Sequence, residues 1–311
     1  MYRGRFAPSP TGDLHLGSAA TALVAWLSAR AAGGRLVMRV EDIDAPRVVA
    51  GSETRQLDDL RWLGLDWDEG PDVGGAHAPY RQSERSAVYD DALARLGVRG
   101  LLYYCDCSRA EIARIASAPH AGEEGPRYPG TCRAFGMRER AWKRPPAIRL
   151  AVPDGVVHVD DAIQGAFDED VAARVGDFVL KRGDGVYAYQ LACVVDDLAM
   201  GVTEVVRGAD LIDSTARQVL LARLLGGTPP AFAHVPLVVA PDGARLAKRA
   251  GGVTIRDHRE HGRSPQDLVR MLAETLGLPP ADEPRAMLDG FRRETLAGRH
   301  EVRVPAGWLR P

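Results

Sequence analysis

Near its N-terminus the chain reads Arg5-Phe-Ala-Pro-Ser9-Pro-Thr-Gly-Asp-Leu-His15-Leu-Gly17-Ser18, and far downstream it reads Arg245-Leu-Ala-Lys248-Arg249. The first segment sets a guanidinium, a loop of small residues and an imidazole just ahead of a run rich in Ala and Leu. That run predicts a helix, and the free N–H groups at a helix start, backed by the helix dipole, favour phosphate. Gly17 carries no side chain to block a nucleotide. From this position His15 can donate to phosphate oxygens as charge builds during displacement at the α-phosphorus. The second segment puts a lysine on a turn after a strand.

A different chemistry is spelled by Cys105-Asp-Cys107 and Tyr128-Pro-Gly-Thr-Cys132. In a reducing compartment a cluster of this kind favours metal over disulfide. Three thiolates and one oxygen would complete a tetrahedron around zinc. Cys-x-Cys is less specific than a pair of Cys-x-x-Cys motifs, so two exposed thiols and a loop cysteine remain an equal alternative on residue chemistry alone. The fourth cysteine, Cys193, lies in the apolar run Leu191-Ala-Cys-Val-Val195 and reads as a small core residue.

The elements that must position these residues follow from pattern and punctuation. Residues 2–7 read as a strand, 16–32 as a helix stopped by Gly33-Gly34, and 35–40 as a second strand. Strand, loop, helix, strand is the opening unit of a parallel nucleotide-binding sheet. Helices are expected over 52–63, with Ser52 as N-cap, and over 85–96. From about Leu101 the cysteines, a loop at 120–129 and Pro145-Pro146 break the alternation and suggest an inserted subdomain. Strand and helix patterns return over 176–197. Asp213-Ser-Thr caps a helix reaching Leu225, residues 234–240 read as a strand, and Pro241-Asp-Gly243 as a tight turn. An amphipathic helix runs from Ser264 to Leu276, and the residues beyond it lack clear periodicity. The expected organisation is 1–100 and 176–250 as two halves of an α/β catalytic domain, 101–175 as the insertion and 251–311 as a short helical remnant.

Composition sets outer bounds. The 311 residues are 45% hydrophobic and 26% charged, ordinary for a globular protein. No apolar stretch is long enough to span a bilayer, and no charged-then-apolar leader precedes Arg5, so a cytoplasmic protein without membrane contact is expected. A formal net charge of −2 argues against indiscriminate nucleic-acid binding, though not against a local basic groove. Lysine occurs only at 143, 181 and 248, which makes Lys248 within an arginine-rich string more informative.

Taken in order along the chain, these strings resemble the class I glutamyl-tRNA synthetases. The first segment resembles their His-Ile-Gly-His signature and Arg245–Arg249 their Lys-Met-Ser-Lys-Ser signature, with Leu16, Ser18, Arg245 and Ala247 as departures. Arg39-Val-Glu41-Asp-Ile-Asp44, Tyr187-Ala-Tyr189-Gln, Val194-Val-Asp-Asp197 and Val206-Arg207-Gly-Ala-Asp210 match the same family. The resemblance implies a Rossmann-like catalytic domain split by an inserted zinc-bearing module of acceptor-binding type. It implies that His15, Gly17, Ser18, Arg245 and Lys248 handle ATP with Mg²⁺, with His15 and Lys248 catalytic and Lys248 on the β- and γ-phosphates. It further implies that Arg5 and Arg207 meet carboxylate, Glu41 meets the ammonium, and Ser9 and Tyr189 orient the amino acid. Cys105, Cys107, Tyr128 and Cys132 would then hold a structural zinc.

Members that charge tRNA(Glu) carry a large anticodon-reading region after the second signature, whereas residues 250–311 make room only for a few helices. The pattern therefore resembles the truncated branch that transfers activated glutamate to queuosine in the anticodon loop of tRNA(Asp), acting as a monomer. Two alternatives stay open from sequence. One is a catalytic core that charges a tRNA 3′ end. The other is a non-catalytic sensor of glutamate or adenylate.

Overall fold

The computed structural model describes residues 1–115, 127–244, 246 and 253–309. Its first unit is β1 (Arg3–Phe6), α1 (Leu16–Ala31) and β2 (Arg35–Met38), with β1 and β2 paired in parallel from Arg3↔Arg35 to Phe6↔Met38. Ala and Leu dominate α1, and both favour helix. Gly33 then takes φ +58°, a left-handed turn that stops the helix. Next come α2 (Ser52–Trp62), α3 (Ser86–Val98), β3 (Leu102–Cys105) and α4 (Arg109–Ile115). They are followed by β4 (Ala147–Leu150), β5 (Val156–Val159), β6 (Phe167–Asp170), α5 (Val171–Arg174) and β7 (Val179–Lys181). The chain continues with α6 (Tyr189–Ala199), β8 (Glu204–Gly208), α7 (Thr215–Leu224), β9 (Ala231–Val235) and β10 (Leu237–Val239). It closes with α8 (Ile255–Glu260), α9 (Pro265–Leu276) and β11 (Glu301–Arg303).

β8 and β9 form a second parallel pair, with Arg207 opposite His234, and Thr203 N–H just before β8 donates to Arg3 C=O in β1 at 2.8 Å. Alternate strand residues enter different cores. Leu36 and Met38 pack with α1 and α9, while Val37 between them packs with α3, α6 and α7; Val206 and Val205 divide in the same way. A strand whose both faces are buried is the mark of a sheet covered by helices on each side. By contrast, β3, β4 and β7 pair antiparallel, and β5 with β6 forms an antiparallel ladder. A small separate core around Tyr103, Ile112 and Tyr128 sits beside the cysteines. No helix among the described residues is long and apolar enough to cross a membrane.

Four local expectations change, the first at Asp213-Ser-Thr, where Ser214 is the N-cap of α7 but no side-chain cap bond forms. Gly51, at φ +73°, is the N-cap of α2, and Ser52 is its first residue. The Ser52 hydroxyl is occupied elsewhere: it donates to Gly12 C=O at 2.5 Å and accepts from Gly12 N–H at 3.2 Å, pinning the loop ahead of His15. The expected strand over 234–240 is two strands, because Pro236 has no N–H to continue the ladder. The segment after residue 252 is not only helical: Ser264 and Asp267 form the capping box of α9, but β11 pairs in parallel with β10. Buried Val302 and Val304 alternate with exposed Glu301 and Arg303, a two-residue period over too short a run to stand out in the sequence.

Ser52→Ala is expected to leave the Gly12 N–H without its partner and to cost about 1–3 kcal/mol. The check is the urea midpoint, which should fall with an unchanged slope; an unaltered midpoint would mean that this bond does not hold the loop.

Candidate active site

A cavity of about 700 Å³ opens past the ends of β1 and β8, and Arg5, Ser9, His15, Gly17, Ser18, Glu41, Tyr189 and Arg207 all line it. Ligands in open parallel sheets bind in this place, beyond the carboxyl ends of the strands. Arg245 and Lys248 lie outside the described residues.

His15 is the N-cap of α1. Its Nδ1 accepts from Ser18 N–H at 3.1 Å, so in the neutral ring the proton sits on Nε2, which is 3.2 Å from Ser18 Oγ. Burial holds the imidazole below its ordinary pKa, partly offset by Asp210, which keeps His15 a neutral donor at pH 7. Gly17 has a second reason to be glycine, since a Cβ there would stand 3.0 Å from the His15 ring. Ser9 is exposed on the cavity wall, its carbonyl held by Thr11 N–H (2.9 Å) and Gln56 Nε2 (3.0 Å).

The opposite wall carries charge. Arg5 is buried; its Nη1 donates to Val206 C=O at 2.9 Å, while its Nε is 3.7 Å from Asp197 Oδ1 and has no hydrogen-bond partner. Arg39, 0% exposed, donates to Asp197 Oδ1 at 2.7 Å and to Glu41 Oε1 at 3.1 Å. Asp196 is held from the other side by Arg85 Nε (2.6 Å), Gln82 Nε2 (2.8 Å) and Tyr89 Oη (2.9 Å). Burial raises the Glu41 pKa, although Arg39 and Arg5 pull against it. Burial also pushes Asp197 up, but Arg39 and Arg5 outweigh it and leave the carboxyl below its ordinary range. Arg207 reaches the cavity from β8, and its Nη1 lies 3.4 Å from the hydroxyl of Tyr189, the first residue of α6.

At the second cluster the Sγ atoms of Cys105, Cys107 and Cys132 lie within 4.8 Å of one another, with Cys107 and Cys132 3.6 Å apart. The Tyr128 hydroxyl is 3.4 Å from Cys105 Sγ and 3.8 Å from Cys107 Sγ, and it accepts from Cys132 N–H at 2.9 Å. The three thiols are free of disulfides, and this donor set can hold a metal ion. Asp106, between the first two cysteines in sequence, accepts from Arg140 at 2.6 Å through Oδ1, which also lies 3.9 Å from Cys132 Sγ.

Two groups beside the pocket escape the sequence reading, Asp161 and His234. His234 sits in β9 behind Arg207, and its Nδ1 is 2.5 Å from Asp161 Oδ2 across 73 residues of chain. The only signal was a histidine within an apolar strand, and nothing local names its partner.

Comparison with known proteins places this geometry. A family model described as tRNA synthetases class I (E and Q), catalytic domain, matches residues 1–295. The glutamyl-Q tRNA(Asp) synthetase of Symbiobacterium thermophilum is 53% identical over 98% of this chain and 97% of its own length. That of Deinococcus radiodurans is 50% identical over 89% of each. Among solved structures, the glutamate-tRNA synthetase of Elizabethkingia anophelis is 32% identical with a TM-score of 0.83, covering 99% of this chain and 69% of that one. Methionyl-tRNA synthetase of Mycobacterium tuberculosis, at 12% identity and a TM-score of 0.55, shares the fold alone over 87% of this chain and 63% of its own. The chain belongs to the class I tRNA synthetases of the E and Q type, within the group of glutamyl-Q tRNA(Asp) synthetases.

Proposed function

We propose that this protein activates glutamate with ATP and transfers it to the queuosine base in the anticodon loop of tRNA(Asp), acting in the cytoplasm. The observation that carries the amino-acid half is the charge of the cavity wall. Two buried guanidinium groups, Arg5 and Arg207, and the carboxylate of Glu41 complement the two carboxylates and one ammonium of glutamate. Arg5 Nε makes no hydrogen bond, and the other lining carboxylates, Asp13 and Asp210, are half-buried and exposed respectively. The acceptor half is supported by relatives of nearly equal length named for glutamyl-Q tRNA(Asp).

In this reading Arg5 and Arg207 bind carboxylate, Glu41 binds the ammonium, and Ser9 and Tyr189 fix orientation. The α-carboxylate of glutamate attacks the α-phosphorus of ATP and expels pyrophosphate. His15 Nε2–H donates to the α-phosphate oxygens as charge develops, and Gly17 and Ser18 present the α1 N-terminus to the nucleotide. Arg245 and Lys248 act on the outer phosphates, which Mg²⁺ accompanies. A hydroxyl of the queuosine cyclopentene diol then attacks the glutamyl carbonyl, forming an ester and releasing AMP. Positioning and charge stabilisation carry both displacements.

The inserted module is proposed to hold zinc. Zn–S bonds of about 2.3 Å at tetrahedral angles put sulfurs about 3.8 Å apart, and a Zn–O bond of about 2.0 Å puts oxygen about 3.5 Å from sulfur. The 3.6 Å Cys107–Cys132 separation and the 3.4 and 3.8 Å Tyr128 contacts fit that polyhedron. With Cys105, Cys107, Cys132 and Tyr128 as ligands no open position remains, so the ion is structural.

Incubation of labelled glutamate, ATP and Mg²⁺ with tRNA(Asp) containing queuosine or guanosine, and with tRNA(Glu), tests the proposal. Label is expected only on the queuosine-containing tRNA and should survive removal of the 3′ terminal adenosine. Label on tRNA(Glu), lost with that adenosine, would mean a charging enzyme instead. Arg5→Lys keeps the charge but loses the fork, and should raise the glutamate KM in ATP–pyrophosphate exchange about 10–100-fold with the ATP KM unchanged. Elemental analysis should find zinc bound, and Cys107→Ser should lose it and lower the melting temperature. Folded, active protein devoid of zinc would remove the metal from the reading.

A further inference from the structure

Arg207 and His234 face each other across the parallel register of β8 and β9, and both are buried. Arg207 Nε donates to His234 Nε2 at 2.9 Å, and the Thr215 hydroxyl lies 3.2 Å from the same nitrogen. A guanidinium has donors only, so Nε2 is the acceptor and the ring proton sits on Nδ1. Nδ1 faces Asp161 Oδ2 at 2.5 Å. The other oxygen, Asp161 Oδ1, accepts backbone N–H bonds from Ile163 (3.0 Å), Gln164 (2.8 Å) and His234 (3.2 Å). Asp161 is thus a fixed anion one imidazole away from the cavity cation. The described partners of Arg207 itself are all neutral: His234, Gln218 Oε1 at 2.6 Å, Thr215 Oγ1 at 2.9 Å, Leu211 C=O at 3.2 Å and Tyr189 Oη at 3.4 Å.

We propose that Asp161 and His234 are positioning residues, a carboxylate–imidazole relay that fixes the guanidinium plane of Arg207 for a substrate carboxylate without cancelling its charge. This rests on the glutamate site proposed above. A carboxylate bonded directly to Arg207 would compete with the substrate for the same donors. A neutral imidazole holds Nε and leaves the positive charge to the ligand, and Asp161 keeps that imidazole in the one tautomer able to accept. The two longest bonds of Arg207, to Leu211 and Tyr189, are the ones a bidentate carboxylate can replace at least cost.

The relay works only while His234 is neutral. An imidazolium would turn Nε2–H against the Arg207 Nε–H. The charged groups facing the ring are Asp161, which favours protonation, and Arg207 and Arg5, which oppose it; the stacked Phe232 ring and the Thr215 hydroxyl are neutral. Burial, the largest influence, holds the His234 pKa below its ordinary value. Glutamate affinity should therefore be full at neutral pH and fall on the acid side, below the ordinary imidazole value of about 6.5.

The test combines ligand-free spectroscopy with kinetics. Nitrogen-15 spectra of wild-type protein should show His234 as the Nδ1–H tautomer at pH 7. His234→Leu should raise the glutamate KM in ATP–pyrophosphate exchange about 10–100-fold, with the ATP KM unchanged and kcat at saturating glutamate within about threefold. His234→Gln, which places a neutral acceptor near the position of Nε2, should restore the KM and abolish its rise at acid pH. An Nε2–H tautomer, or a glutamate KM in His234→Leu equal to wild type, would overturn the relay. Wild-type protein that binds no glutamate would overturn the glutamate reading itself, a result that the ligand-free spectrum separates from failure of the relay.

Discussion

Arg39 is the constraint on which the pocket depends. Its guanidinium follows β2 directly, is fully buried, and ties that strand to α6 through Asp197 while gripping Glu41 two residues on. Removing one member of a buried ion pair costs about 3–5 kcal/mol because the survivor stays buried and uncompensated. Arg39, Asp196, Asp197 and Arg85 consequently hold one another in place. Their joint geometry turns Glu41 into the cavity and sets Asp197 3.7 Å from Arg5.

Around that pin the molecule separates structural charge from charge that faces a ligand. Asp196 spends its oxygens on Arg85, Gln82 and Tyr89, all buried. Arg5 and Arg207 are positioned by a carbonyl, an imidazole, an amide and hydroxyls, so neither is neutralised by a hydrogen-bonded carboxylate among the described residues. Such groups need little reorganisation when an anion arrives, and a dry setting strengthens their effect. The same logic governs the other end of the cavity, where α1 begins with an imidazole whose Nδ1 cap bond leaves the proton on Nε2, 3.2 Å from Ser18 Oγ.

Much of the site was legible because its parts are local. His15, Gly17 and Ser18 belong to one helix start, and Arg39 with Glu41 to one strand exit, so spacing alone puts them together. Other features were invisible for a definite reason. The Ser52 hydroxyl reads as a cap until Gly12, 40 residues earlier, is seen to occupy it. The strand β11 is three residues long and is recognisable only through its pairing with β10.

Taken alone, the sequence determined the groups on offer: a phosphate-favouring helix start, arginines and an acid in strings that resemble those of the glutamyl-tRNA synthetases, and a thiol cluster. It also determined the α/β order that carries them, because helix propensity, glycine stops and strand alternation are properties of neighbouring residues. Which acid meets which arginine was decided only by the tertiary structure. Asp161 and His234 are 73 residues apart, and their bond exists because the segment after β5 folds back against β9, where Asp161 bridges to Phe232. Hydrogen bonds act over about 3 Å, so a pairing across that much chain is set by packing and leaves no periodic trace in the residues between.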